Sequence, residues 1–107
     1  MAKYLVVATY NAAGATGVLE QGGSARVKAV TAAVEGAGGT VESFYFAFGE
    51  DDAYVTVDLP DNVAAAALGL RVGASNLVSV RTVVLLTAEE VDRASGVDVN
   101  YRGPGTT

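Results

Sequence analysis

The chain has 107 residues, half of them hydrophobic and 18% charged, which favours one globular domain over a disordered segment. Seven basic residues against twelve acidic ones give a net charge of -5, and the basic residues form no run, so we expect neither nucleic acid nor membrane as a partner. With no cysteine and no histidine, thiolate and histidine catalysis and the common zinc sites are excluded, and we expect no metal and no cofactor.

The first third of the chain predicts a strand followed by a helix. Residues 3–10 are rich in Val, Leu and Tyr, which is typical of a buried strand. After a turn, residues 16–21 predict one helical turn that ends at Gly22 and Gly23. Ser24 is then a favourable N-cap for a helix with apolar residues at helical spacing, which ends in a glycine-rich segment.

The middle of the chain predicts a β-hairpin. In a strand over residues 40–48, one face carries Phe44, Phe46 and Phe48, and the other carries Val41, Ser43, Tyr45 and Ala47. A turn at residues 49–52 leads to a third strand, residues 53–59, whose aliphatic residues alternate with Tyr54, Thr56 and Asp58.

The remaining elements complete an α+β pattern. A helix is predicted from residue 63 to about 75, a strand over residues 77–86, and a short helix that starts at a capping box of Thr87 and Glu90. The order β-α-β-β-α-β predicts a ferredoxin-like fold, a four-stranded antiparallel sheet with its helices on one face, plus the short C-terminal helix. We assign residues 1–96 to a single domain and residues 97–107 to a C-terminal tail.

The uncovered side of this sheet predicts self-association. Two helices cover one face of a four-stranded sheet, yet the first two strands are apolar on both faces. Such a patch exceeds what a soluble monomer usually exposes, so we expect a homodimer or a higher homo-oligomer. The N-terminal segment lacks the pattern of a secretory signal, and no apolar stretch reaches membrane-spanning length, which predicts a cytoplasmic protein.

Residues 44–52 and 55–62, FYFAFGEDD and VTVDLPDN, resemble the GYD-domain family. Residues 3–7, 22–26 and 85–91 match as well, so the resemblance covers almost the whole chain. It implies the fold of the dimeric α/β-barrel proteins and supplies no reaction. Gly49 and Asp52 match the motif that names the family, whereas Asp51 stands in place of its tyrosine.

Two polar clusters are candidate sites. Gly22, Gly23, Ser24 and Arg26 place free backbone N–H groups and a cation at a helix start, which suits an anion, although an ordinary helix cap has the same sequence. Residues 50–52 are three consecutive carboxylates, which suit a hard cation or a general base. Because no further oxygen ligands follow at EF-hand spacing, a solvated turn is the simpler interpretation.

A third group of residues suits a small-molecule pocket. Apolar walls with a few polar groups are typical of such pockets, and the candidates near the uncovered sheet face are Tyr10, Tyr45, Tyr54, Arg81 and Asp52. The alternative is that these residues fill an interface between subunits, where Tyr and Arg are enriched. Tyr45 and Tyr54 reach the same space only if the hairpin register places the Phe residues under the helices.

We therefore predict a homo-oligomeric binding or assembly module whose sheets enclose a small hydrophobic or aromatic ligand. The alternative is a cofactor-free isomerase, decarboxylase or oxygenase of the dimeric α/β-barrel type, with Tyr or Asp as acid or base.

Overall fold

Four strands form one antiparallel sheet in the computed structural model, which describes residues 1–105. The elements in chain order are β1 (Ala2–Tyr10), α1 (Ala12–Gln21), α2 (Gly23–Gly36), β2 (Thr40–Phe46), β3 (Ala53–Leu59), α3 (Asn62–Ala74), β4 (Val78–Leu85) and α4 (Ala88–Ser95). The strand order is β2-β3-β1-β4, with every neighbouring pair antiparallel. The predicted ferredoxin-like α+β fold is confirmed, with one additional helix.

The core lies between the sheet and the helices α2 and α3. Its buried side chains come from β1, β3 and both helices: Tyr4, Val34, Val55, Val57, Leu59 and Ala65. The buried ring of Tyr4 keeps its hydroxyl satisfied, because the hydroxyl donates to Asn62 Oδ1 at 2.6 Å, at the start of α3. Strand alternation in β1 and β3 therefore directs one set of side chains under the helices, as the sequence predicts.

The helix α1 is longer than predicted. Residues 16–21 are helical and end at Gly22 as expected, but the helix already begins at Ala12, where the sequence predicts a turn. Asn11 caps it, since its side chain accepts from the Gly14 N–H at 2.9 Å, and the Asn11 N–H donates to the Leu77 carbonyl at 3.0 Å. Ser24 is not an N-cap. The break between α1 and α2 lies at Gly22, whose φ of 86° is available to glycine, so that Ser24 lies inside α2 with an exposed side chain.

A β-bulge in β2 changes which side chains face the core. The register with β3 shifts between Val41 and Ser43, so Val41 packs in the helix-side core with Phe44 instead of lying on the face of Tyr45. The strand also ends at Phe46, and Phe48 is fully exposed, because the hairpin connection begins with the Ala47 N–H donating to Asp52 O at 2.8 Å. The predicted three-Phe face is therefore wrong beyond Phe46.

The helix α4 and the residues after it extend away from the sheet. The predicted capping box is confirmed, because the Thr87 hydroxyl accepts from the Glu90 N–H and the Glu90 carboxylate accepts from the Thr87 N–H. The hydrogen bond from the Thr87 N–H, and a second from the Thr87 hydroxyl, hold the pKa of Glu90 below its usual value. The radius of gyration is 17.1 Å, against about 13 Å for a compact chain of this length.

The division into a domain at 1–96 and a tail at 97–107 stays a prediction, and residues 106 and 107 of that tail lie outside the described residues. Among residues 1–105, no helix has the length and apolar character needed to cross a membrane.

Candidate functional site

The side of the sheet that faces away from α2 and α3 is called the open face. Across the four strands it carries Lys3, Leu5, Val7 and Thr9; Ser43 and Tyr45; Tyr54, Thr56 and Asp58; and Ser79, Arg81, Val83 and Leu85. Three helices pack on or beside the opposite side, and every side chain of α4 except Glu90 is exposed. Within residues 1–105, no helix covers this face.

A row of paired side chains crosses the open face. Tyr45 lies opposite Tyr54, Tyr54 opposite Val7, and Val7 opposite Arg81. Tyr45 is 72% exposed and Tyr54 is 38% exposed, while Val7 between Tyr54 and Arg81 is only 2% exposed. The register thus places both tyrosines on the open face, beside Arg81, as the alternation along the hairpin predicts.

An apolar row and an ion cluster lie next to this row of Tyr45, Tyr54, Val7 and Arg81, called the tyrosine row. Leu5 lies opposite Val83 and Thr56, and all three side chains are half-buried. Farther along, the Lys3 ammonium contacts the Glu42 carboxylate and lies 3.1 Å from Asp58 Oδ1. These contacts raise the pKa of Lys3, with Glu42 the larger cause. The apolar centre of the open face is therefore bordered by a charge cluster whose members satisfy one another.

Tyr54 is held by the turn that follows β2. Its hydroxyl donates to Asp51 Oδ2 at 3.3 Å, and the other oxygen of Asp51 accepts from the Thr9 hydroxyl at 3.1 Å. Partial burial raises the pKa of Tyr54, and the Asp51 carboxylate raises it further. A tyrosine so shifted stays protonated near neutral pH, which gives no support to Tyr54 as a general base.

Two of the three carboxylates in residues 50–52, those of Asp51 and Asp52, accept hydrogen bonds that hold the hairpin in place. Asp52 Oδ2 accepts from the Tyr10 N–H at 2.8 Å, and the Asp52 N–H donates to Ala8 O at 2.9 Å. These two bonds fasten the hairpin to the end of β1. Glu50 is exposed, and no group of three or more Asp or Glu residues in the described chain is arranged to hold a metal ion.

Tyr10 does not join the other two tyrosines, because it lies on the helix side of β1. There the guanidinium carbon of Arg26 lies 5.6 Å from the centroid of the Tyr10 ring, a cation–π distance. Of the described residues, only Arg26 has a buried side-chain polar atom, Nε, without a hydrogen-bond partner. An unsatisfied buried donor costs about 1–3 kcal/mol, and more for a charged group.

The predicted anion cluster is dispersed by the fold. Arg26 extends towards the sheet and Ser24 towards solvent, while Gly23 packs against the ring of Phe46. Gly22 uses its own N–H to end α1, by donating to Val18 O at 2.7 Å. The four residues therefore do not all converge on one point, although Gly22 and Arg26 line one cavity beside α1.

Arg26 instead borders a cavity that the sequence analysis missed. The cavity has a volume of about 100 Å³ and lies between α2, α3 and the helix side of the sheet. Arg26 is its one charged lining residue in the described chain, and the lining hydroxyls are those of Tyr10 and Thr82. The sequence does contain one indication of this placement. Arg26 and Val30 are one helical turn apart, so both lie on the face of α2 that meets the sheet.

The comparisons with known proteins identify a family and nothing more specific. A family model described as the GYD domain matches residues 4–95 of the chain. No curated protein and no solved structure gives a match.

Proposed function

The chain belongs to the GYD domain family, and on that premise we propose that it is a homo-oligomeric binding module whose copies pair through the open face. The observation that carries this proposal is the apolar centre of that face, which no helix of the described chain covers. The half-buried Leu5 and Val83 form this centre, and the exposed ring of Tyr45 extends the apolar surface, while Val7 between Tyr54 and Arg81 is already buried. A second copy with the same apolar face is the partner that matches it best.

The area of the open face is small for a stable interface between two copies. Four strands about 4.8 Å apart and about 7 residues long give roughly 450 Å² of flat surface. Two such faces contribute roughly 900 Å², below the roughly 1,200–2,000 Å² of a stable specific interface. Pairing through the sheets alone would therefore be weak, and a further contact is needed.

The C-terminal part of the chain is suited to supply that contact. From the end of β4 onward, large apolar side chains are exposed, namely Leu86, Val91, Val97, Val99 and Tyr101. Each is more than half exposed, and they extend along a molecule whose longest dimension is 59 Å. In our proposal this arm, residues 86–101, lies on the partner copy and increases the area buried.

In this proposal, a ligand enclosed between the paired sheets would bind at the tyrosine row. Tyr45, Tyr54 and Arg81 would border the space between two open faces, and tyrosine rings with one cation suit a small hydrophobic or aromatic molecule. This part of the proposal depends on the pairing. It is checked by a structure of the native assembly purified without added ligand, in which the space beside these residues would be occupied.

Thiol labelling tests the pairing directly, because the chain has no cysteine of its own. Thr56→Cys places one thiol on the open face, and the control Ala67→Cys places one on the exposed surface of α3. We expect maleimide labelling of the Thr56→Cys variant to slow as protein concentration rises, because association covers the site. Labelling of the control should not depend on concentration. Equal, concentration-independent labelling of both variants would rule out pairing through the open face.

A further inference from the structure

The cavity beside Arg26 combines apolar walls with one charged group. Its walls come from both helices and all four strands and include Val30, Phe44, Val55, Leu68 and Val80. Its volume of about 100 Å³ is on the order of the roughly 150 Å³ apolar cavity that admits a benzene ring. The space suits a small ring or a short alkyl chain.

The charged group at this cavity, the Arg26 guanidinium, has no ionic partner in the part of the chain that the structure describes. Among residues 1–105, the ion pairs involve Lys3 and Arg93, and Arg26 forms none. Its Nε atom is buried and has no hydrogen-bond acceptor, while Tyr10 contacts the guanidinium only through the face of its ring. The planar guanidinium matches the two oxygens of a carboxylate, which would satisfy this donor.

We infer that this cavity binds a small monocarboxylate with an apolar body, either an aromatic ring or a short alkyl chain. The carboxylate pairs with Arg26, and the apolar body lies among Val30, Leu68 and Val80. One cation balances one negative charge, so a phosphate dianion would remain half uncompensated in an apolar space. The cavity is formed within a single chain, so this site is independent of the proposed pairing and of the tyrosine row on the open face.

The first test compares two probes on the wild-type chain by NMR titration. Benzoate is the charged probe, and benzyl alcohol is its neutral counterpart of similar shape. We expect saturable shifts of the Val30, Leu68 and Val80 methyl signals with benzoate, at an affinity at least about tenfold above that of benzyl alcohol. No saturable binding of benzoate, or equal affinity for both probes, would overturn the inference, as would shifts confined to the open face.

The second test uses matched charge deletions on α2. Arg26→Met keeps most of the apolar stem and removes the guanidinium, while Lys28→Met removes an exposed cation two residues away. We expect Arg26→Met to weaken benzoate binding about tenfold or more and to leave benzyl alcohol binding unchanged. Lys28→Met should bind benzoate like the wild type. An equal loss in both variants would show attraction by net charge and contradict a site at Arg26.

Two further variants keep these outcomes interpretable. Arg26→Lys preserves the charge but not the planar fork, so we expect intermediate benzoate affinity even if Arg26→Met folds poorly. Val83→Lys alters only the open face, so a monomeric form of that variant should still bind benzoate. Loss of benzoate binding on monomerisation would contradict a site formed within one chain and leave the pairing proposal intact.

Discussion

Replacing Val83 by lysine is expected to convert the proposed oligomer into a 10.8 kDa monomer. Val83 lies opposite Leu5 at the apolar centre of the open face, and Arg81 is on the same face of the same strand. A lysine there adds a second cation to the open-face side of β4, opposite Leu5 and not a carboxylate, and pairing would bury its charge without a partner. An uncompensated buried charge costs about 3 kcal/mol or more, and two copies lose about 6 kcal/mol, or roughly four orders of magnitude in affinity.

The measurement is sedimentation velocity of Val83→Lys beside the control Val63→Lys. Val63 is 77% exposed on α3, on the opposite side of the molecule from the open face. Because β4 is an edge strand and Val83 is half-buried, the Val83→Lys monomer should remain folded. The control should sediment as the wild type does. An unchanged mass for Val83→Lys would place the interface elsewhere.

Substituting alanine for Gly14 is expected to destabilise the fold, whereas the same change at Gly17 should stabilise it. Both glycines are in α1, but a Cβ at Gly14 would overlap the Leu77 carbonyl oxygen, and a Cβ at Gly17 meets nothing within 4 Å. That carbonyl accepts from the Asn11 N–H at 3.0 Å, so it cannot move without breaking the contact that seats the helix. Overpacking of this kind costs about 1–3 kcal/mol.

The comparison is made by urea denaturation of the two variants and the wild type. Alanine is preferred over glycine in a helix by about 1 kcal/mol, so Gly17→Ala should raise the free energy of unfolding by up to that amount. Gly14→Ala should lower it despite the same gain in helix propensity. If both substitutions stabilise the protein equally, α1 does not pack against Leu77 as described.

These glycines also show why only the second part of α1, residues 16–21, could be predicted from the sequence. Gly14 and Gly17 both lower the helix propensity of residues 12–21, and only the contact with Leu77 makes glycine favourable at the first of them. Such a contact joins residues far apart in the chain. The capping box at Thr87 was predictable for the opposite reason, since all its hydrogen bonds form within four residues.

The candidate sites also divide into those that local sequence patterns could predict and those that depend on tertiary packing. Alternation along β2 and β3 was enough to place Tyr45 and Tyr54 on one face, because the hairpin between them keeps its register at that end. At the other end, the bulge moved Val41 to the core, which alternation alone cannot predict. The Arg26 cavity depends on how two helices pack on the sheet, which the sequence does not show, so Arg26 was predicted to belong to an anion site at the start of α2.

The mass of the wild-type chain in solution tests the pairing proposal most directly. Light scattering at micromolar concentration should give at least twice the 10.8 kDa of one chain, with dissociation on dilution. A monomer of 10.8 kDa across that range, with no binding of a hydrophobic dye, would contradict the proposal that a second copy covers the open face.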